Sequence, residues 1–210
     1  MSKTFDVCIR GDGVVGSSLA LLLAKERLRV ALVGRPASPA AGDVRAYALN
    51  AASRDLLTGL RVWPEAPFTT PVRQMRVLGD DGGAIDFSAA SVARDALAWI
   101  VEVPALLEQL AQAVRFQPQI ERVEAPTKAA LTVVCEGSHS ASRDEFGARW
   151  TVKPYPQKAV AAQLDASQPH HGVARQWFAD GDIVALLPLG GAEGSRLAWC
   201  GLPAWSVPTS

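Results

Sequence analysis

Gly11, Gly13 and Gly16 are the residues whose spacing most directly suggests chemistry. They lie in Phe5-Asp-Val-Cys-Ile-Arg-Gly-Asp-Gly-Val-Val-Gly16, followed by Ser17-Ser-Leu-Ala-Leu-Leu-Leu-Ala24 and then Arg29-Val-Ala-Leu-Val-Gly34. The pattern reads as strand, glycine turn, helix, strand. It fits G-x-G-x-x-G, in which the first glycine makes the turn, the second lets a pyrophosphate approach the backbone, and the third lets helix and strand pack closely. A helix N-terminus adds free N–H groups and a positive dipole end. The chemistry this serves is the holding of a dinucleotide. A tight βα turn without a ligand is the alternative, and the apolar strand and helix around the turn favour the nucleotide.

Other reactive residue types are sparse. Cys8, Cys135 and Cys200 are scattered, with no C-x-x-C pair, which fits a reducing cytoplasm and neither a disulfide frame nor a zinc site. His139, His170 and His171 are the only histidines. His170-His171 follows Pro169 in a polar stretch, and no nearby Cys or carboxylate has ligand spacing, so the pair reads as a loop.

The elements that must position the glycine turn follow from periodicity. Residues 5–34 form a βαβ unit, and 35–43 a Pro/Gly/Ala-rich connection. Helical spacing runs from Ala48 to Leu60 through Leu49, Leu56, Leu57 and Leu60. Val72–Leu78 and Ala84–Phe87 are strand candidates around the hairpin signal Gly79-Asp-Asp-Gly-Gly83. Pro104 opens a helix to about Val114, with Leu106, Leu107 and Leu110 as its buried stripe. The apolar run Leu131–Cys135 predicts a strand buried on both faces of a parallel sheet. Beyond Tyr155 the texture changes: Ala159–Leu164, Val173–Phe178, Ile183–Leu187 and Leu197–Cys200 are short strands between turn clusters, as in an antiparallel sheet that the 72–88 hairpin would join.

Composition narrows the classes. The 210 residues are 49% hydrophobic, enough for a sizeable core, and 21 basic residues balance 21 acidic ones. No basic field attracts nucleic acid or an anionic membrane. The N-terminal apolar run is too short and interrupted to span a bilayer.

Three segments in order resemble a known family. They are the glycine turn, Asp43-Val-Arg-Ala-Tyr-Ala-Leu-Asn-Ala-Ala-Ser53, and Val134-Cys-Glu-Gly-Ser-His-Ser-Ala-Ser-Arg143. Tyr155-Pro-Gln157, Ala174-Arg-Gln-Trp-Phe178 and Ala185-Leu-Leu-Pro188 add to the series, which runs from Asp6 to about Trp199. The set is similar to the FAD-dependent aromatic hydroxylases, in the branch that hydroxylates polyprenyl-phenols in ubiquinone biosynthesis. The resemblance implies an α/β fold: a Rossmann-like FAD-binding parallel sheet of the glutathione-reductase type, interwoven with an antiparallel substrate sheet. The expected FAD-binding domain covers 1–70 and 89–150, and the substrate domain 71–88 and 151–210.

The resemblance also implies the site. Gly11, Gly13, Val14, Val15 and Gly16 would cradle the FAD pyrophosphate, with Arg35 a further cofactor contact. Arg45 would reach the flavin's phosphate or ribose region, where a guanidinium can fork onto oxygens; read alone, Arg45 is equally a solvated surface residue. Glu136 and Gly137 stand where the family has Asp-Gly, and Arg143 at that motif's closing arginine. NAD(P)H is the implied co-substrate and O₂ the oxygen source. The cofactor carries the chemistry, so no catalytic residue and no metal are expected. The implied partners are a phenolic small molecule, a bilayer or lipid carrier for its polyprenyl tail, and further copies of the chain at exposed strand edges.

Four departures stand against the family pattern. Gly34, followed by Arg35, replaces the acid expected at the end of the second strand. Glu136 replaces Asp. Only a short polar stretch separates Val114 from Leu131, where the family has a small β-meander. Ser210 falls near the middle of the family's usual length, before the Gly-Asp motif that holds the ribityl chain, so the expectation is a fragment or truncated product. These departures raise a second reading, a non-catalytic relative that binds a polyprenyl-phenol or partner enzyme and holds flavin weakly or not at all. A plain NAD-binding dehydrogenase is a weaker third.

Overall fold

The structure is a computed structural model that describes residues 4–34, 42–154, 158–190 and 194–202. Arg35 and Tyr155–Gln157, named above, lie outside the described residues. In chain order the elements are β1 (Phe5–Arg10), α1 (Val14–Lys25), β2 (Val30–Val33), β3 (Ala46–Leu49), α2 (Ala51–Gly59), β4 (Thr69–Val72), β5 (Gln74–Leu78), β6 (Ala84–Ser88), β7 (Ala98–Glu102), α3 (Val103–Arg115), β8 (Ile120–Val123), β9 (Ala129–Val134), α4 (Ser142–Glu145), β10 (Val160–Asp165), β11 (Val173–Ala179), β12 (Asp182–Pro188) and β13 (Arg196–Leu202). They divide into two units: 1–41, 56–63 and 106–152 in the first, and 42–55, 64–105 and 153–210 in the second. The second unit thus takes in 42–55, 64–70 and 89–105, which the sequence reading groups with the nucleotide layer.

The first unit is built on a parallel sheet of order β8-β2-β1-β9. Val7, Cys8 and Ile9 of β1 and Val30, Ala31 and Leu32 of β2 are buried, the continuous apolar burial that central parallel strands require. Ala20, Leu21 and Ala24 on α1, Leu57 on α2, and Leu106, Leu110 and Val114 on α3 complete the core. On α3 the i, i+4, i+8 row carries the burial, while Leu107 is only half-buried. One expectation fails here. β9 pairs only with β1 and is an edge strand among the described residues, so Leu131 is 57% exposed rather than enclosed. An apolar run marks a strand without telling centre from edge. Ile120–Val123, inside the stretch read as merely polar, forms β8 beside β2.

The second unit has two sheets. The larger has order β10-β13-β12-β11-β5-β6 and is antiparallel except that β11 runs parallel to β5. The hairpin β5–β6 does join the later strands. The smaller sheet, β3-β7-β4, is antiparallel. It holds two elements the sequence reading lacked. Residues 46–49 start as strand β3 before α2 begins at Ala51, and Ala98–Glu102 form the central strand β7. The expected strand Val72–Leu78 divides at Arg73 into β4 and β5, because the Arg73 N–H turns to the Gly172 carbonyl at 2.8 Å. Val72, Ile100, Ala174, Leu189 and Ala198 form this unit's core cluster. His170 is buried: its Nδ1 accepts from the Gly172 N–H at 2.9 Å and its Nε2 lies 2.8 Å from the Leu189 carbonyl oxygen. It ties a loop together.

Candidate nucleotide-binding site

The glycine turn lies where β1 ends in the middle of the parallel sheet. Gly11 has φ +103°, a left-handed conformation that favours glycine. A Cβ there would also lie 2.5 Å from the Cys135 carbonyl oxygen and 2.7 Å from its carbon. A Cβ on Gly16 would collide with the Gly11 carbonyl oxygen. These two glycines let the turn, α1 and the end of β9 meet backbone to backbone.

Gly13 differs. It is the N-cap of α1, is exposed, and a Cβ on it would meet nothing within 4 Å. The fold leaves space over this residue and does not use it. No side chain caps the helix, and no acidic residue lies in its first turn. The first-turn N–H groups, those of Val14 and Val15 among them, have no acceptor within the helix. Val15 is 68% exposed, so its side chain fixes nothing. The Ser17 hydroxyl donates to the Asp12 carbonyl at 2.8 Å and locks the turn. An open glycine at an uncapped twelve-residue helix fits an entering pyrophosphate.

The segment after β9 is brought against the same turn, since the Glu136 N–H nitrogen would lie 2.9 Å from a Cβ on Gly11. Its side chains are committed to one another. The Glu136 carboxylate accepts from the Ser140 hydroxyl at 2.6 Å, the Ser142 N–H at 3.0 Å and the Ser142 hydroxyl at 2.8 Å. These bonds, that of Ser140 foremost, hold its pKa below the usual glutamate value. Gly137 is left-handed at φ +69°. Arg143 donates to the carbonyls of Gly137 (2.7 Å) and Ser138 and lies over the Trp150 ring at 4.1 Å. Glu136 and Arg143 therefore hold this loop together through their side-chain bonds.

Arg10, at the end of β1, is a residue the sequence reading missed. Its guanidinium donates to the Ser142 hydroxyl at 3.0 Å and makes a two-pronged ion pair with Glu145. That pair pulls the Glu145 carboxyl below its usual range. An arginine ending an apolar strand was the available signal. Burial pushes the Cys135 thiol pKa up.

Arg45 belongs to the second unit. Its Nε and Nη2 fork onto Asp43 at 2.8 and 2.7 Å, and the guanidinium holds the Asp43 carboxyl below its usual range. The D-x-R spacing thus serves an ion pair, which presents an arginine side chain 59% exposed.

Gly34 ends β2. A Cβ there would lie 2.7 Å from Asp12 Oδ2 and closer still to Cγ and Oδ1. Asp12 Oδ2 accepts from Arg122 of β8 at 2.8 Å.

No family model matches the chain. Among curated proteins it is 34% identical to 3-demethoxyubiquinol 3-hydroxylase of Escherichia coli over 55% of this chain and 31% of that protein. It is 28% identical to ubiquinone hydroxylase UbiL of Rhodospirillum rubrum over 94% of this chain and 52% of that protein. The chain thus spans about half the length, or less, of these curated relatives. Among solved structures, PqsL of Pseudomonas aeruginosa, described as a probable FAD-dependent monooxygenase, is 20% identical with a TM-score of 0.77, covering 95% of this chain and 60% of PqsL. It is also known in complex with 2-aminobenzoylacetate. The p-nitrophenol 4-monooxygenase PnpA of Pseudomonas putida is 16% identical with a TM-score of 0.77, covering 98% of this chain and 60% of PnpA. The chain is a partial-length homologue of the ubiquinone hydroxylases and has the fold of the FAD-dependent monooxygenases.

Proposed function

We propose that this chain is the FAD-binding layer and part of the substrate layer of an aromatic-ring monooxygenase. The observation that carries the reading is the contrast within the glycine turn: Gly11 and Gly16 are required by packing, whereas Gly13 is open. Gly13 and the N–H groups of Val14, Val15 and Gly16 would hold the pyrophosphate. Gly11 shapes the turn, and the Glu136–Arg143 loop walls it. Arg45, fixed by Asp43 in the second unit, is proposed as a flavin contact on the family resemblance alone. Arg35 is proposed as a further contact. Bound FAD would supply the redox chemistry, with electrons from NAD(P)H and the inserted oxygen from O₂. The protein's part is to bind, orient and exclude water.

For the substrate we propose a phenol with a polyprenyl tail, since two relatives are named for ubiquinone-type rings and two structural neighbours for small aromatics. Such a tail would bring the protein to a bilayer surface from the cytoplasmic side. No helix among the described residues is long and apolar enough to cross a membrane. The edge of β9, unpaired among the described residues and with Leu131 and Val134 exposed, is proposed to pair with a second copy.

The test is the visible spectrum of the purified chain with and without added FAD, followed by NAD(P)H oxidation with and without a phenol. A yellow protein that oxidises NAD(P)H faster when the phenol is present supports the monooxygenase. The second reading, a binding module that holds flavin weakly, starts from Gly34 standing where the family has an acid. Absence of flavin binding would select it.

A further inference from the structure

We infer that Asp12 is the ribose-binding acid of this chain, moved from the end of the second strand into the glycine turn. The inference rests on the turn being a nucleotide site and concerns which residue holds the adenosine. In βαβ nucleotide folds an acid at the end of the second strand, roughly 20 residues after the turn, accepts hydrogen bonds from ribose hydroxyls. Here that position is Gly34, which has no side chain.

The position still has a carboxylate. The first Cβ of any side chain at 34 would fall 2.7 Å from Asp12 Oδ2 and nearer to Cγ and Oδ1, so the Asp12 carboxyl fills the space where such a side chain would start. Asp12 belongs to the turn between Gly11 and Gly13, and its side chain crosses from there to the end of β2. The absence of a Cβ at 34 makes the crossing possible. The two residues form one arrangement: a glycine where the acid is expected, and an acid where the turn needs no particular side chain.

The carboxylate is aimed. Arg122 on β8, the strand beside β2, donates to Oδ2 at 2.8 Å, and the two side chains are 23% and 18% exposed. Oδ1 has no hydrogen-bond donor among the described residues, so it is available to a ribose hydroxyl. Arg122 also offsets the negative charge that Asp12 would otherwise set beside a dianionic pyrophosphate. It acts as a positioning residue.

The test compares FAD with its analogue lacking the adenosine 2′-hydroxyl, by quenching of flavin fluorescence. The wild-type chain is expected to prefer FAD by about 10-fold or more, as a hydrogen bond to a charged acceptor implies. In Asp12→Ala the preference should fall to within about 2-fold, with loss confined to FAD. Asp12→Asn, of the same shape, keeps the comparison valid should the alanine variant fail to fold, and should also narrow the preference. Equal preference in wild type and both variants, or none in wild type, overturns the assignment and leaves the nucleotide site standing. Failure of the wild type to bind either compound overturns the nucleotide site and this assignment together.

Discussion

Gly16 and Gly11 touch through backbone alone: a methyl group on Gly16 would run into the Gly11 carbonyl oxygen. Gly13, between them in sequence, faces open space. Two glycines of the turn therefore answer to the fold, and the third is the one proposed to answer to a nucleotide.

Gly16→Ala should accordingly destabilise the chain whether or not flavin is present. Overpacking against backbone costs about 1–3 kcal/mol, or several degrees of Tm for a domain of this size. Thermal denaturation followed by circular dichroism measures it. An unchanged Tm would mean that the helix can draw back from β1 without loss.

Gly34→Ala should be destabilising alone and largely harmless beside Asp12→Gly, because the Asp12 carboxyl is the group the new Cβ would meet. A double-mutant cycle in urea should give a coupling of about 1–3 kcal/mol. Additive effects would show that the carboxyl simply swings away.

The loop after β9 should weaken in acid. The folded-state pKa of Glu136 is lowered, chiefly by the Ser140 hydroxyl. Its stabilisation is therefore present above the unfolded glutamate pKa, about 4.3, and is lost as pH falls through the lower folded value. Glu145, held by Arg10, has the same sign but is more exposed and contributes less. Between pH 7 and 3 the Tm advantage of wild type over Glu136→Gln should shrink towards zero. A gap constant with pH would show that the carboxylate's charge is irrelevant to the loop.

The edge of β9 that is unpaired among the described residues should mediate self-association. Leu131→Lys places a charge on that strand, a device that blocks edge pairing. Size-exclusion chromatography should show a shift towards monomer for this variant. An identical elution profile would put any self-association elsewhere.

Much of this was legible from residue patterns. The βαβ unit, α3 and the later strands announce themselves through apolar runs bounded by Gly, Pro and Asp. Other features were not. The edge position of β9 depends on which strands pair, and Leu131–Cys135 carries no mark of that. The strand β7 lies in Ala98–Glu102, too short a run to separate from a loop by period. The Asp12–Gly34 arrangement joins residues 22 apart through space. Either alone reads as an odd turn residue or a missing acid, and only the fold shows that one fills the place of the other. The roles within Glu136–Arg143 were hidden for a related reason: the motif letters match a cofactor loop, while the side-chain hydrogen bonds close the loop on itself.

The most direct measurement is a titration of FAD against the wild-type chain and Gly13→Val, read by quenching of flavin fluorescence, with Tm recorded for both. The wild type should bind with a Kd of about 1 μM or tighter. Gly13→Val should lose that binding while remaining folded, at a modest cost in Tm for a β-branched N-cap residue, since a Cβ there meets nothing within 4 Å. Equal affinity in the two proteins, or no flavin binding by the wild type, would contradict the assignment of this turn as the FAD cradle.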